Sequence, residues 1–484
     1  IRVPSHFEER HRIGIIGGGF SGMLTAVQLI RNCDRPIEII VFNERGTLAK
    51  GIAYDPYSRR HLLNVTTRRM SAFSDRPDDF LDHVMATPEF MRKDRSLIAD
   101  SFLPRAIYGE YLVQVWKDAL DLAHRKKVSV QVVEDLVQDL DVEEDLHILR
   151  TAASGAIAVE SCVIATGNHF PRDPKIRNIG FYPDARYFRD PWKMDSVQGA
   201  TDDLPVLIIG NGLTMVDTVL GLLEQGYKGK IHSISPHGFS ILPHRHTGFK
   251  YTQLTDELPL KFGLADLVRL VNKHVKAVRE YGITAEPVID SLRPFTQQIW
   301  KGLTREERMM FMSRLRHLWG VARHRIPLNT YDRIQQLRIE GRLKVSSGTL
   351  SDLTAHADHV LVEYFDRKDR QEKEMKVSRI INCTGPETNF MQLQKSFLKN
   401  CLQKGILVQD ELKLGLRANT TTYQVINAKG DVQQELYTLG SNLRSELWES
   451  TAVNELRDQA AKVADQILFG QKKAEAASLL RSGK

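Results

Sequence analysis

Three glycines near the start of the chain, Gly17, Gly19 and Gly22, stand in the pattern G-x-G-x-x-G. Each has a separate task in a diphosphate site. The first permits a tight turn, the second lets a pyrophosphate reach the backbone, and the third lets the following helix pack close to its sheet. Exposed N–H groups and the positive end of the helix then favour a diphosphate. The flanking residues supply the context this pattern needs. Ile13-Gly14-Ile15-Ile16 reads as a strand, Met23 to Ile30 as a helix and Ile37 to Phe42 as a second strand, which makes one βαβ unit. The end of the second strand should hold an adenosine ribose. Asn43 sits nearest that end and Glu44 follows, and both are candidates.

A second loop, Gly210-Asn211-Gly212-Leu213-Thr214-Met215, lies between the apolar run Val206–Ile209 and a further strand, Lys230–Ile234. Met215 stands where the third glycine belongs. It must either hold the helix away from its strand or fill a gap among small neighbours. A second dinucleotide is the favoured reading over a plain strand-helix turn. Ser235-Pro236-His237-Gly238 follows the second strand with no arginine, so NADH and NADPH both stay open.

Other groupings yield less. His237, His244 and His246 lack a carboxylate or cysteine at ligand spacing, so no metal is expected; His246 and Arg245 fit the nicotinamide or substrate entrance better. The four cysteines, Cys33, Cys162, Cys383 and Cys401, lie far apart with no C-x-x-C, which fits reduced thiols in a cytoplasm. Asp217 reads as first-turn charge complementarity, and no catalytic Ser-His-Asp or paired-carboxylate set stands out.

The elements that must carry these loops fill 484 residues, enough for two to four domains. Hydrophobic residues at 42% and charged residues at 26% exclude a disordered or fibrous chain. No apolar run is long enough to cross a membrane, and the polar start does not resemble a signal peptide. The net charge of +7 is mild and scattered, which argues against nucleic acid. A strand pair is expected around Val128–Val133 and His147–Arg150. Ser161–Gly167 and Arg379–Gly385 both read as apolar strands ending in Thr-Gly, and Leu447–Phe469 as a helix. The expected fold class is α/β, with two Rossmann-like dinucleotide-binding domains and an inserted helical subdomain. The expected boundaries are 1–200 with 375–484, 201–253 with 338–374, and the insertion at 254–337.

Several segments recur together in one family: Gly14–Gly22, Lys50-Gly51-Ile52-Ala53-Tyr54, His61–Val65, Pro104-Arg105-x-x-Tyr108-Gly109-x-Tyr111-Leu112, Gly210–Asp217 and Trp448–Arg457. The chain resembles the FAD/NAD(P)-binding proteins grouped with FAD-dependent urate hydroxylases and aspartate/ornithine N-hydroxylases. The resemblance implies FAD on the first unit and NADPH or NADH on the second. It also implies a hydroperoxyflavin that hydroxylates a small nucleophilic substrate with oxygen: an amine, an amino acid or an electron-rich ring. The implied flavin contacts are Gly17, Gly19, Phe20, Ser21 and Gly22, the loop residues Leu63, Asn64 and Val65, and the backbone near Val137 at the adenine. Thr166 and Gly167 would lie by the adenosine diphosphate. Gly440 and Ser441 stand where many relatives carry Gly-Asp, and Thr451 lies in a helix expected over Trp448–Arg457 that aims its positive end at the flavin. Gly210, Gly212, Leu213 and Thr214 would hold the nicotinamide dinucleotide. Arg105 and Tyr108 are read as pinning a loop rather than binding substrate, and Trp448 as packing. The competing functions are a flavin oxidoreductase or oxidase without hydroxylation and a non-catalytic FAD-binding partner. Met215 and Ser441 are the support for the last.

Overall fold

The computed structural model describes residues 10–44, 48–144, 146–245, 249–259, 261–394 and 396–482. The chain folds into two units. The first takes residues 1–55, 65–169 and 388–484; the second takes 56–64 and 170–387. The joints therefore fall near 169 and 387, against the expected 200 and 375, and the short segment 56–64 goes with the second unit.

In the first unit the chain runs β1 (His11–Ile16), α1 (Phe20–Asn32), β2 (Ile37–Phe42), α2 (Arg105–Lys126), β3 (Ser129–Val133) and β4 (Ser161–Ile164). β1 is central, parallel to β2 on one side and to β4 on the other. β3 extends the sheet beyond β2, and Val432–Thr438 extends it beyond β4, both parallel. Gln424–Ile426 closes the edge antiparallel. β1, β2 and β4 read as apolar runs because a parallel sheet is covered on both faces. Ile13, Ile15, Ile37, Ile39 and Val163 are fully buried. α1 packs against both α2 and the long helix Val453–Ser482.

The expected strand pair does not form. β3 pairs with β2, whereas Leu146–Thr151 joins Val137–Glu143 and Ala156–Val159 in a separate antiparallel sheet. Leu140, Leu149 and Val159 from that sheet reach the core beside Ile16 and Phe42. Burial of these side chains outweighed pairing between neighbours in sequence.

The second unit repeats the plan with β5 (Val206–Ile209), α3 (Leu213–Glu224), β6 (Ile231–Ser235), β7 (Leu343–Ala355) and β8 (Arg379–Asn382). β5 is central between β6 and β8, and β7 lies beyond β6, all parallel. Val360–Asp366 and Gln371–Val377 add antiparallel strands beyond β7, and Tyr187–Phe188 pairs with β8. Between β6 and β7 the chain is helical, from Gln253 to Ile339. These helices hold a small core of their own around Leu254, Val275, Val288 and Leu292.

His232 on β6 is buried, with Nε2 2.8 Å from Ser346 Oγ. Burial first, then the Lys344 and Lys373 ammonium groups, lower its pKa from 6.5 to about 4, with Asp366 opposing. The folded state therefore refuses a proton that the unfolded chain accepts below pH 6.5. This contribution to stability is whole above that pH and is lost as the pH falls towards 4. Urea unfolding at pH 7 and pH 4.5 should show the wild type losing up to about 3 kcal/mol more than His232→Gln. Equal losses in the two proteins would remove His232 from the acid response.

Candidate functional site

The two glycine loops are built the same way. Gly17 donates its N–H to Phe42 O at 3.0 Å, and Ala165, just past β4, donates to Ile16 O at 2.8 Å. In the second unit Gly210 donates to Ile234 O at 2.8 Å, and Cys383, just past β8, donates to Ile209 O at 2.8 Å. Both first glycines adopt left-handed φ, +109° and +108°. A Cβ on Gly17 would lie 2.2 Å from Ala165 O, and one on Gly210 would lie 2.3 Å from Cys383 O. Only glycine fits either turn.

Each loop leads into a helix left open at its positive end. α1 begins after Gly19 and α3 after Gly212; neither has a side-chain cap or an acidic residue in its first turn. The first N–H groups of a helix lack internal partners, so an uncapped start is suited to an anion. The approach is clear in both cases. A Cβ on Gly19 meets nothing closer than Gly51 Cα at 3.5 Å, and one on Gly212 meets nothing within 4 Å. Phe20, Ser21 and Gly22 lie in the first turn of α1, and Leu213 and Thr214 in that of α3. The third position differs between the loops. A Cβ on Gly22 would lie 1.9 Å from Gly17 O, whereas Met215 is buried among Val206, Ile208 and Val219. Met215 finds a gap and leaves Gly212 open.

Around the first loop, buried polar atoms without protein partners mark where a polar ligand fits. Asn43, just past β2, ties its N–H to Val133 O at 2.9 Å, and its Nδ2 is buried with no partner among the described residues. Glu44 beside it is exposed. Ser441 Oγ and Asn442 Oδ1 are likewise buried without partners. Asn442 Nδ2 donates to Thr166 Oγ1 at 3.2 Å and to Thr438 Oγ1 at 3.1 Å, which joins this loop to the end of β4. Gly167, with φ +69°, is exposed. Together, the uncapped α1, the space before Gly19 and these orphaned atoms suit FAD: N–H groups for the diphosphate, an amide for the ribose, and a hydroxyl and a carbonyl for the ribityl chain.

A closed ring of hydrogen bonds fixes the Gly440 loop. Gly440 N–H donates to Gln459 Oε1 at 2.8 Å, Gln459 Nε2 donates to Ser450 Oγ at 2.9 Å, and the Ser450 hydroxyl donates to Gly440 O at 2.7 Å. Ser450 and Gln459 are buried, and Ser21 Oγ lies against Gly440. Sequence reasoning named Gly440 and Ser441 but not Asn442, Ser450 or Gln459. Ser450 was visible in the Trp448–Arg457 segment, but its partner is nine residues further along the chain.

The remaining expected positions fall into several surroundings. The helix expected from Trp448 starts at Val453, because Trp448 takes a left-handed φ of +61° and ends the short helix before it. Trp448 packs beneath Arg444, and Thr451 is exposed ahead of the long helix. Val137 is buried beside Phe42 and Val133. Leu63 and Asn64 belong to the second unit and Val65 to the first. There the Asn64 carbonyl accepts from His244 Nε2 at 2.9 Å, and the buried His61 ring donates to Asp217 O at 3.0 Å. Asp217 itself is buried in the second turn of α3, not a first-turn surface charge. Arg245 donates to Thr284 Oγ1 at 3.1 Å, and His246 lies outside the described residues.

Tyr108 sits in an aromatic cluster, its hydroxyl buried with no partner among the described residues. Its ring lies 4.6 Å from that of Tyr54 and 4.9 Å from that of Phe80. A Cβ on neighbouring Gly109 would meet Tyr54 O at 2.2 Å, so α2 is clamped against the segment after the first loop. Burial lifts the Tyr54 hydroxyl to about 12, with Arg105 opposing. Among the described residues no group of three or more His, Cys, Asp or Glu side chains is placed to hold a metal, and no helix is long and apolar enough to cross a membrane.

Residues 14–169 match a family described as FAD-NAD(P)-binding. Over 220 residues the chain is 24% identical to the uncharacterized protein YdhS of Escherichia coli (strain K12). That stretch is 44% of this chain, and it spans only 40% of the length of that relative. The ornithine N-hydroxylase KtzI of Kutzneria sp. 744, solved with reduced FAD, NADP+ and L-ornithine, superposes with a TM-score of 0.64. It is 14% identical, covering 96% of this chain and 100% of that one. The bacillithiol disulfide reductase Bdr (YpdA) of Staphylococcus aureus has a TM-score of 0.54 at 12% identity, covering 96% and 100%. The structural likenesses establish the fold, two α/β units each built on a parallel sheet.

Two substitutions separate the tasks of the glycines. Gly22→Ala forces a methyl onto Gly17 O and should cost the apoprotein about 2 kcal/mol or more, along with FAD binding. Gly19→Ala has an ordinary φ of −72° and room for its methyl. It should leave the melting temperature of the apoprotein within about 2 °C of wild type yet weaken FAD at least about tenfold. Thermal melts and flavin-fluorescence titrations read the two effects, and wild-type affinity in Gly19→Ala would mean that no diphosphate passes there.

Proposed function

We propose that this chain, which carries an FAD-NAD(P)-binding domain over residues 14–169, is an FAD-dependent, NAD(P)H-driven monooxygenase that hydroxylates a small nucleophilic substrate. The observation that carries the proposal is the second glycine loop, built like the first on its own parallel sheet and open in front of Gly212. A flavoprotein that only stored FAD would need one such loop. The burial of Met215 beside an open Gly212 weighs against one of the two supports for a non-catalytic binding role, the other being Ser441.

When bound, FAD supplies hydride acceptance and oxygen activation. The chain's own part is to bind and orient. The first N–H groups of α1 would take the flavin's diphosphate, and Asn43 would hold the adenosine ribose. Ser441 and Asn442, braced by the Gly440–Ser450–Gln459 ring, would hold the ribityl chain. The open start of α3, with Gly210, Gly212, Leu213 and Thr214, would take the diphosphate of the nicotinamide dinucleotide.

The choice of electron acceptor rests on the cysteines. All four are free, and Cys162, Cys383 and Cys401 are buried. Burial raises the thiols of Cys383 and Cys401 to about 12, so thiolate chemistry is suppressed. Electrons delivered to the flavin therefore have no dithiol to reach among the described residues, and a small diffusible acceptor such as oxygen fits better than a disulfide. An amine, an amino acid or an electron-rich ring suits the nucleophile that receives one oxygen atom while the other leaves as water, and reduced thiols suit a cytoplasmic setting.

Purified protein should carry flavin absorbance that bleaches within seconds when NADPH or NADH is added anaerobically. In air, NAD(P)H consumption with a panel of amines and amino acids should yield hydroxylated product. Bleaching followed by quantitative hydrogen peroxide release, with no product from any panel member, would favour the oxidase reading. No bleaching with either nicotinamide would reject an NAD(P)H-driven enzyme.

A further inference from the structure

In a βαβ unit the adenosine ribose of a bound dinucleotide lies past the end of the second strand, where a carboxylate suits NADH and a basic group suits the extra phosphate of NADPH. In the second unit that place comes after β6, and the residues there are Ser235, Pro236 and His237, with no acid among them. Asn211, between the two glycines, donates its side-chain amide to the Phe239 carbonyl, which ties segment 237–239 beside the loop.

A distant part of the same unit completes the place. His237 stacks on Phe239 with ring centroids 5.2 Å apart and meets His317 at 4.4 Å. Arg316 Nη2 lies 3.4 Å from His317 Nε2. Among the described residues no carboxylate pairs with Arg316. Burial lowers the pKa of Arg316, and burial together with the Arg316 and His237 charges lowers that of His317 to about 4. The lowered pKa leaves His317 a neutral acceptor for the Arg316 N–H, so the Arg316 guanidinium stands beside imidazole rings with no anion next to it among the described residues, a cation that a bound anion would pair. A π-helical turn, Phe311–Leu315, leads directly into Arg316, and such turns are frequent at functional sites. Phe239 keeps 37% of its surface exposed, an aromatic face on which adenine can stack. Arg338 donates to Ser240 Oγ at 2.9 Å and adds a further cation to the same segment.

We infer that His237, Arg316 and His317 hold the 2′-phosphate of NADPH, so that part of the helical stretch between β6 and β7 selects the nicotinamide cofactor. The inference rests on the second loop binding NAD(P)H, as proposed above, and assigns to these helices a task other than shaping a substrate pocket. Guanidinium recognition of phosphate is bidentate where geometry allows, so Arg316 should contribute most.

The FAD-loaded protein can be titrated calorimetrically with 2′,5′-ADP and with 5′-ADP, which carry the adenosine end without a nicotinamide. The wild type should bind 2′,5′-ADP at least about tenfold more tightly. Arg316→Ala should abolish that preference and raise the NADPH concentration for half-maximal flavin reduction about tenfold or more, with the NADH value unchanged. Arg316→Lys, which keeps the charge, should recover part of the difference. Equal binding of the two nucleotides by the wild type, or equal weakening of NADH and NADPH in Arg316→Ala, overturns the phosphate assignment while the second loop still binds a dinucleotide. Failure of both nucleotides to bind, with no reduction by either nicotinamide, overturns the reading of the second loop and this inference with it.

Discussion

A carbonyl oxygen placed where a side chain would otherwise stand governs each half of this molecule. Ala165 O in the first unit and Cys383 O in the second come within 2.2–2.3 Å of the Cβ position of the first loop glycine. Those carbonyls are fixed by parallel registers, Ile16 against Ile164 and Ile209 against Asn382. The register therefore dictates glycine, glycine permits the left-handed turn, and the turn starts a helix without a cap. The open N–H groups at the start of each helix follow from that close approach.

The two loops then diverge in what supports them. In the first, Gly22 lies so near Gly17 O that helix and loop lock together, and the Gly440–Ser450–Gln459 ring braces the neighbouring loop. Each of those bonds is worth only about 1 kcal/mol net, but opening one would leave buried partners unsatisfied at about 1–3 kcal/mol. In the second loop Met215 joins an apolar core with Val206, Ile208 and Val219. Packing there does what close backbone contact does in the first loop. A missing third glycine is compatible with an open, uncapped helix start when the core has room for the larger side chain.

The sequence exposed what is local and periodic. Both βαβ units, both Thr-Gly strand ends and the helical character of the stretch before β7 could be read from runs of apolar residues and the glycines between them. Elements decided by tertiary packing could not. Val128–Val133 and Leu146–Thr151 look like a hairpin because they are neighbouring apolar runs, yet one belongs to the parallel sheet and the other to a second layer over Ile16 and Phe42. The helix start at Val453 is hidden because the left-handed φ of Trp448 has no signature in residue type. Of the candidate site, the glycines were legible because a backbone requirement fixes their type. Asn442, Ser450 and Gln459 were not, since a hydrogen-bonded ring can be closed by many polar residues from many separations. The segment 56–64 looks continuous with the first unit in sequence, but its contacts, including the His61 bond to Asp217 O, place it with the second.

Recognition through backbone explains how little sequence the fold requires. A diphosphate held by N–H groups at a helix start asks for glycines at two or three positions, a parallel register and an uncapped helix; it asks almost nothing of the side chains elsewhere. A likeness that covers 96% of the chain can then coexist with 14% identity. The same economy leaves the remaining surface free to differentiate. In this chain polar and basic side chains gather beside the loops: Ser441, with its buried Oγ, near the first, and His237, Arg316 and His317 near the second. Because the helical stretch between β6 and β7 carries its own apolar core around Leu254, Val275, Val288 and Leu292, its surface residues can change without disturbing either sheet. Side chains on that stretch can therefore change while the register that makes the glycine turns stays as it is.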